Sequence, residues 1–237
     1  MARAFAPSTS SPLIICDGGV ESVLAAAHAA EAYSASGPEE TATPVLWSAP
    51  PREVGDSAGL ETTERIARTL ALRTVQAPVP RAIKAGDEVA PEADTLMLVR
   101  ACSLAAEMRL RRVVWPIRHN HFDDSARAFD RATLVGRLAS LDAEAAGLPE
   151  ITVETPYVDL ADDQIADLIQ DISAPVEACW WLHGAAATTE AGLDEHRRWR
   201  SLVEGVGVVG VVSGGGEQAP ASRATTVKVT NGGQVGF

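Results

Sequence analysis

The chain has 237 residues, 46% of them hydrophobic, which is enough to bury one sizeable core on the usual scale of about 100–200 residues per domain. A net charge of −12 and a pI near 4.8 oppose a phosphate backbone, and no apolar run approaches the ~18 residues needed to cross a bilayer. Neither a nucleic acid nor a membrane is therefore expected as a partner.

Met1–Ser11 carries only Arg3 as a cation and has no apolar run, so it reads as a flexible N-terminus rather than a signal peptide. Pro12–Cys16 is the first expected strand. It enters Asp17-Gly18-Gly19 and then an Ala-rich helix from Val20 to about Ala35, the succession that opens a βαβ unit. Val45–Trp47 reads as a second strand, Leu60–Leu70 as a helix with Ile66 and Leu70 on one face, and Thr74–Ala77 as a third strand. Pro78–Pro91, with three prolines, reads as an excursion from the core.

Asp94 is the expected N-cap of a helix over Thr95–Met108, apolar on nearly every side through Leu96, Met97, Leu98, Val99, Cys102 and Leu104 and so expected to be deeply buried. Arg112–Ile117 is the next strand. Ser125 is the expected cap of a long helix whose Leu134, Leu138 and Leu141 recur at i, i+4, i+7 as a core face. Ile151–Val153 supplies a strand, Ala161–Ile172 a helix with Asp162-Asp163 in its first turn, and a last helix begins near Leu193. The alternation predicts an α/β fold: a Rossmann-like, mostly parallel sheet with helices on both faces, over residues 12–205. Residues 206–237 form a Gly/Val-rich C-terminal extension, read as a terminal hairpin or a disordered tail.

Several side chains have bland readings. The arginine groups Arg109, Arg111, Arg112 and Arg197, Arg198, Arg200 lie among carboxylates and read as solvated surface. Trp180-Trp181 reads as packing, and His28 as a surface or packing residue. Cys16, Cys102 and Cys179 stand far apart without a Cys-x-x-Cys pair, which suits a reducing, cytoplasmic setting.

In an open α/β sheet, ligands bind beyond the carboxyl ends of the strands, and a glycine turn after the first strand lets the backbone approach a phosphate. Here that turn is Cys16-Asp17-Gly18-Gly19-Val20-Glu21-Ser22. It is similar to the Ser-Gly-Gly-x-Asp-Ser loop of the PP-loop ATP pyrophosphatases, with Asp17 in place of the first serine, Glu21 in place of the aspartate, and Gly18, Gly19 and Ser22 kept. Farther on, Glu154-Thr155-Pro156-Tyr157-Val158-Asp159-Leu160, then Gln164-Ile165, Pro175-Val176 and Cys179-Trp180, resembles the Thr-Pro-x-x-Asp-Leu-x-x-x-x-Ile segment of the 7-cyano-7-deazaguanine synthases of queuosine biosynthesis. The Thr95–Met108 helix falls where that family has an Asn-Thr-Ile-Phe-Leu-type helix. The resemblance implies an adenine nucleotide alpha hydrolase-like fold and ATP with Mg²⁺ as cofactor. It makes Asp17, Gly18, Gly19, Glu21 and Ser22 the nucleotide cradle, with Glu21 near the metal. The reaction it implies is adenylation of a carboxylate with release of pyrophosphate, then attack by ammonia and dehydration to a nitrile.

This chain also departs from the pattern. Where the family holds structural zinc with four cysteines, only Cys179 matches; His183 and His196 lack the spacing to complete a tetrahedral set, so zinc is not expected. Asp17 either adds a carboxylate where pyrophosphate would rest or caps the helix backbone and leaves the cradle usable, and Pro116-Ile117-Arg118-His119-Asn120-His121 replaces a glycine-rich loop. Arg118 and His121 are the cations best placed along the chain to offset Asp17. The favoured reading is a binding protein or pseudoenzyme with eroded ATP and zinc sites. It would take a small molecule or nucleotide, or keep only an oligomer interface such as a homodimer. The alternative is an active ATP-dependent carbon–nitrogen ligase, and a third reading leaves the match to coincidence within an unrelated α/β fold. No catalytic residue is assigned.

Overall fold

The computed structural model describes residues 11–36, 43–48, 56–77 and 93–205. Most of the expected flexible N-terminus, the Pro78–Pro91 excursion and the 206–237 extension lie outside the described residues.

Five strands form one sheet: β1 (Pro12–Cys16), β2 (Val45–Ser48), β3 (Arg73–Val75), β4 (Arg112–Val114) and β5 (Thr152–Glu154). Their order is β3-β2-β1-β4-β5 and every pairing is parallel, so β1 lies in the middle as expected. A central parallel strand is covered on both sides, which is why Pro12–Cys16 is buried throughout and shows no polar alternation. Leu13 and Ile15 join Val45, Trp47 and Val113 on one face, under α3 (Ala93–Glu107) and α4 (Phe122–Ala145). Ile14 and Cys16 join Leu46 and Val114 on the other, under α1 (Val20–Ser36), α2 (Asp56–Thr69), α5 (Asp162–Ile172) and α6 (Glu190–Gly205). Among the described residues, no helix is long and apolar enough to cross a membrane.

Two expectations about helix faces are corrected. On α3, Leu98, Ala101, Cys102, Leu104 and Ala105 are buried while Val99 is exposed, so the helix is half-buried on the sheet rather than enclosed. On α4, Leu134, Leu138 and Leu141 point to solvent, and the core face is Ala128, Ala132, Val135, Gly136 and Ala143. The physical reason is close approach. A β-carbon on Gly136 would stand 3.3 Å from the Val153 backbone nitrogen and 3.7 Å from the Ile151 carbonyl oxygen, so α4 lies against β5 with its smallest residues inward.

The element ends differ less. α4 starts at Phe122 after His121, and Ser125, the expected cap, is buried instead with its hydroxyl donating to the Val158 carbonyl at 2.9 Å. Asp94 lies inside the first turn of α3 and pairs with Arg131 of α4 at 2.9 Å. β4 is shorter than Arg112–Ile117 because the chain turns after it, Ile117 N–H donating to the Trp115 carbonyl at 2.8 Å. α6 begins at Glu190, three residues before Leu193.

Candidate functional site

Strand order reverses at β1, so the crevice lies beyond the carboxyl ends of β1 and β4, where doubly wound sheets hold ligands. Three segments converge there: Asp17–Ser22 after β1, Trp115–Asn120 after β4, and Thr155–Leu160 after β5. The last two are tied together by His119 N–H donating to the Val158 carbonyl at 3.2 Å and by the Ser125 bond to the same oxygen.

The turn after β1 is shaped by Gly18, whose φ of +82° suits glycine. A β-carbon there would come within 2.6 Å of Thr62 Cγ2 and 3.5 Å of Trp180 Cβ, so this side of the loop is packed by α2 and by the 3₁₀ turn Trp180–Leu182. Trp180 N–H donates to the Gly18 carbonyl at 3.1 Å and fixes that turn on the loop. Val23 N–H reaches the Gly19 carbonyl at 3.1 Å, which makes Gly19 the residue from which α1 departs.

Asp17 decides the character of the loop. Its Oδ1 accepts from Gly19 N–H at 2.8 Å and from the buried Ser22 hydroxyl at 2.7 Å, while Ser22 Oγ accepts from Asp17 N–H at 3.2 Å. A loop N–H and the loop hydroxyl, the donor types a bound phosphate would use, are both satisfied by a side chain of the loop itself. The turn holds its own anion. A β-carbon on Gly19 would meet carboxylate oxygens again, Asp17 Oδ1 at 3.2 Å and Glu21 Oε2 at 3.6 Å.

Arg118 is where the charge expectation is corrected. It donates from Nε to Glu21 Oε1 at 2.8 Å rather than to Asp17, and from Nη1 to Asp162 at 2.6 Å and Asn120 Oδ1 at 3.1 Å. Its side chain is only 5% exposed, and it bridges the crevice from the largely buried Glu21 of α1 to Asp162 of α5, which is open to solvent. Arg198 grips Asp162 with two bonds, 2.8 and 2.6 Å, and the ring of Trp199 lies 4.9 Å from the Arg198 guanidinium carbon and 5.8 Å from that of Arg118. Trp199 N–H donates to Glu195 at 2.8 Å. His121 stays exposed at the start of α4, where its carbonyl accepts Ser125 N–H.

Titration follows from burial. Burial holds the Glu21 carboxyl above its ordinary 4.5, against the pull of the Arg118 bond. Tyr157 is buried with its hydroxyl 3.0 Å from His28 Nδ1, and burial, then the Glu21 carboxylate, raises its phenol; burial lowers His28. Burial also pushes the Cys16 thiol up to about 11 and Cys179 well above 9, the latter with help from Glu21 and Asp17. These are protonated thiols suited to packing rather than to nucleophilic attack.

The sequence-predicted cradle residues Asp17, Gly18, Gly19, Glu21 and Ser22 thus form one continuous loop, with Arg118 beside it. Cys179, His183 and His196 do not converge on one point: Cys179 is fully buried, His183 Nε2 lies 2.6 Å from the Glu177 carbonyl oxygen, and His196 faces the Trp181 ring. Among the described residues, no group of three or more His, Cys, Asp or Glu is placed to hold a metal. Sequence reasoning misses the Asp162–Arg198–Trp199–Glu195 network and the His28–Tyr157 pair. It also assigns Arg112 to the surface, whereas Arg112 is buried and doubly bonded to Glu154 at 2.8 and 2.7 Å.

No protein-family model matches the chain, and no curated protein matches it. Among solved structures it is similar to the U34-tRNA thiolase NcsA from Methanococcus maripaludis with its 4Fe-4S cluster. The likeness has 10% sequence identity and a TM-score of 0.49, over 84% of this chain and 72% of that one.

Proposed function

We propose that the chain is a doubly wound binding protein or pseudoenzyme whose PP-loop-like turn, of the type found in 7-cyano-7-deazaguanine synthases, no longer serves pyrophosphate. The observation that carries this reading is the Asp17 carboxylate seated on Gly19 N–H and Ser22 O–H. A phosphate must displace it from both donors and then meet its charge. Two like charges about 4 Å apart repel by about 1 kcal/mol in water and about 4 kcal/mol at an effective dielectric of about 20, a loss of roughly five- to a thousandfold in affinity. Glu21 adds a second carboxylate, and the arginine that offsets it is shared with Asp162. A crevice so lined favours a neutral or cationic small molecule over a polyphosphate.

Thermal denaturation with ATP and Mg²⁺ tests the reading. Wild type is expected to show no stabilisation, and Asp17→Ser, which restores the serine of the PP-loop pattern, is expected to gain a shift. Production of AMP and pyrophosphate by the wild type, abolished by Gly19→Val, would instead overturn the pseudoenzyme reading in favour of an active ATP-cleaving enzyme.

A further inference from the structure

Helix α4 carries large apolar side chains away from the sheet that no other described element covers. Leu134, Leu138 and Leu141 are 67%, 56% and 65% exposed, and across a groove of about 320 Å³ between α3 and α4 stands Val99, 41% exposed. Leu138 lines this groove together with Cys102, Ala106 and Val135. The inward face of α4 already closes the core with alanines, valine and glycine, so the leucines are not a frayed part of that core.

We propose that the α3–α4 face is the contact between two copies of the chain, with their α4 helices packed antiparallel about a two-fold axis near Leu141. Three observations argue for a second copy. The leucines recur at a mean spacing of 3.5 residues, the period of a seam between two helices. The exposed parts of Leu134, Leu138, Leu141 and Val99 amount to on the order of 400 Å² of apolar surface, within the range of the largest patch on a monomer and close to the apolar share of a standard interface of about 800 Å² per partner. Charge supplies the direction. Arg137 and Glu144 are both exposed, lie seven residues apart on one side of the stripe, and have no ion-pair partner among the described residues. An antiparallel copy sets Arg137 against the partner's Glu144, and symmetry repeats the pair; in a parallel copy opposite flanks of the stripe face each other and the two residues do not meet.

Sedimentation equilibrium on the full chain at tens of micromolar is expected to give twice the 24.9 kDa chain mass. Leu141→Glu should weaken the dimer at least about tenfold while leaving the melting curve of the dilute monomer unchanged, because the side chain is exposed there. Arg137→Glu should weaken it too, and the double variant Arg137→Glu, Glu144→Arg should restore it. A wild type that stays monomeric at every concentration, or a dimer indifferent to Leu141→Glu, overturns the proposal. A dimer that loses affinity with Leu141→Glu but ignores both charge variants overturns the antiparallel arrangement. None of these outcomes depends on the crevice at Asp17.

Discussion

A buried carboxylate beside a buried arginine is informative because the two effects on it have opposite signs. At Glu21, removal from water outweighs the Arg118 bond, and the carboxyl titrates above its ordinary 4.5 in the folded chain. A group whose folded pKa lies above its unfolded one contributes stability that is fully present below the unfolded value and is lost as pH rises through the folded value. Glu21→Gln removes that titration and leaves Arg118 its bond to Asp162. Urea denaturation of the two proteins at a series of pH values starting near 4.5 is expected to show the variant gaining on wild type as pH rises, until the folded pKa is passed, and holding level above it. A stability difference independent of pH would show that Arg118 fully compensates Glu21. The same residue explains why the site resists reading from sequence alone. Arg118 stands 97 positions from Glu21 and nearer in the chain to several other carboxylates, so only the sheet order decides which acid it meets.

Among the elements, α4 separates what periodicity can say from what it cannot. Spacing of i, i+4, i+7 identifies an apolar face, and Leu134, Leu138 and Leu141 are such a face; it does not identify which apolar face meets the sheet. Large residues are expected inward because they bury more area, but the distance between α4 and β5 admits only small ones. Gly136 carries this constraint. A longer side chain there must push into Val153 and the β5 backbone, so Gly136→Leu is expected to destabilise by about 1–3 kcal/mol despite the better helix propensity of leucine. Loss of less than the gain in propensity, measured by urea denaturation, would mean that the helix rides farther from the sheet. The strands are more legible. Pro12–Cys16 and Val45–Ser48 are short apolar runs between turn signals, and a strand buried on both faces leaves no face to confuse. The Asp17 turn is legible for the same local reason, since the bonds of Asp17 to Gly19 and Ser22 span no more than five residues. Asp162, Arg198 and Trp199 are not, because their meeting depends on α6 returning to the crevice.

For the whole molecule, the balance of charge is sharper than a net of −12 conveys. Several of the described arginines are held by acids of their own chain: Arg100 by Glu107, Arg112 by Glu154, Arg118 by Glu21 and Asp162, Arg127 by Asp124, Arg131 by Asp94, Arg198 by Asp162 and Glu195, Arg197 by Asp194. A polyanion gains affinity by releasing about 0.9 counterion per phosphate neutralised, and a guanidinium already paired must give up its carboxylate before it contributes. Each exchange replaces one charge-assisted pair by another and leaves a new unpaired carboxylate facing the phosphates, so the net gain is small where the pair is exposed and negative where it is buried, as at Arg118 and Arg112. Long-range attraction is also absent, because the field of an acidic chain repels the polymer before contact. Bulk tRNA titrated with the protein at low ionic strength, where electrostatic binding is strongest, is therefore expected to show no change in mobility or fluorescence anisotropy. Binding that weakens steeply with added salt would reveal a basic surface made by arginines outside these ion pairs, and would reverse the exclusion of nucleic acid drawn from composition.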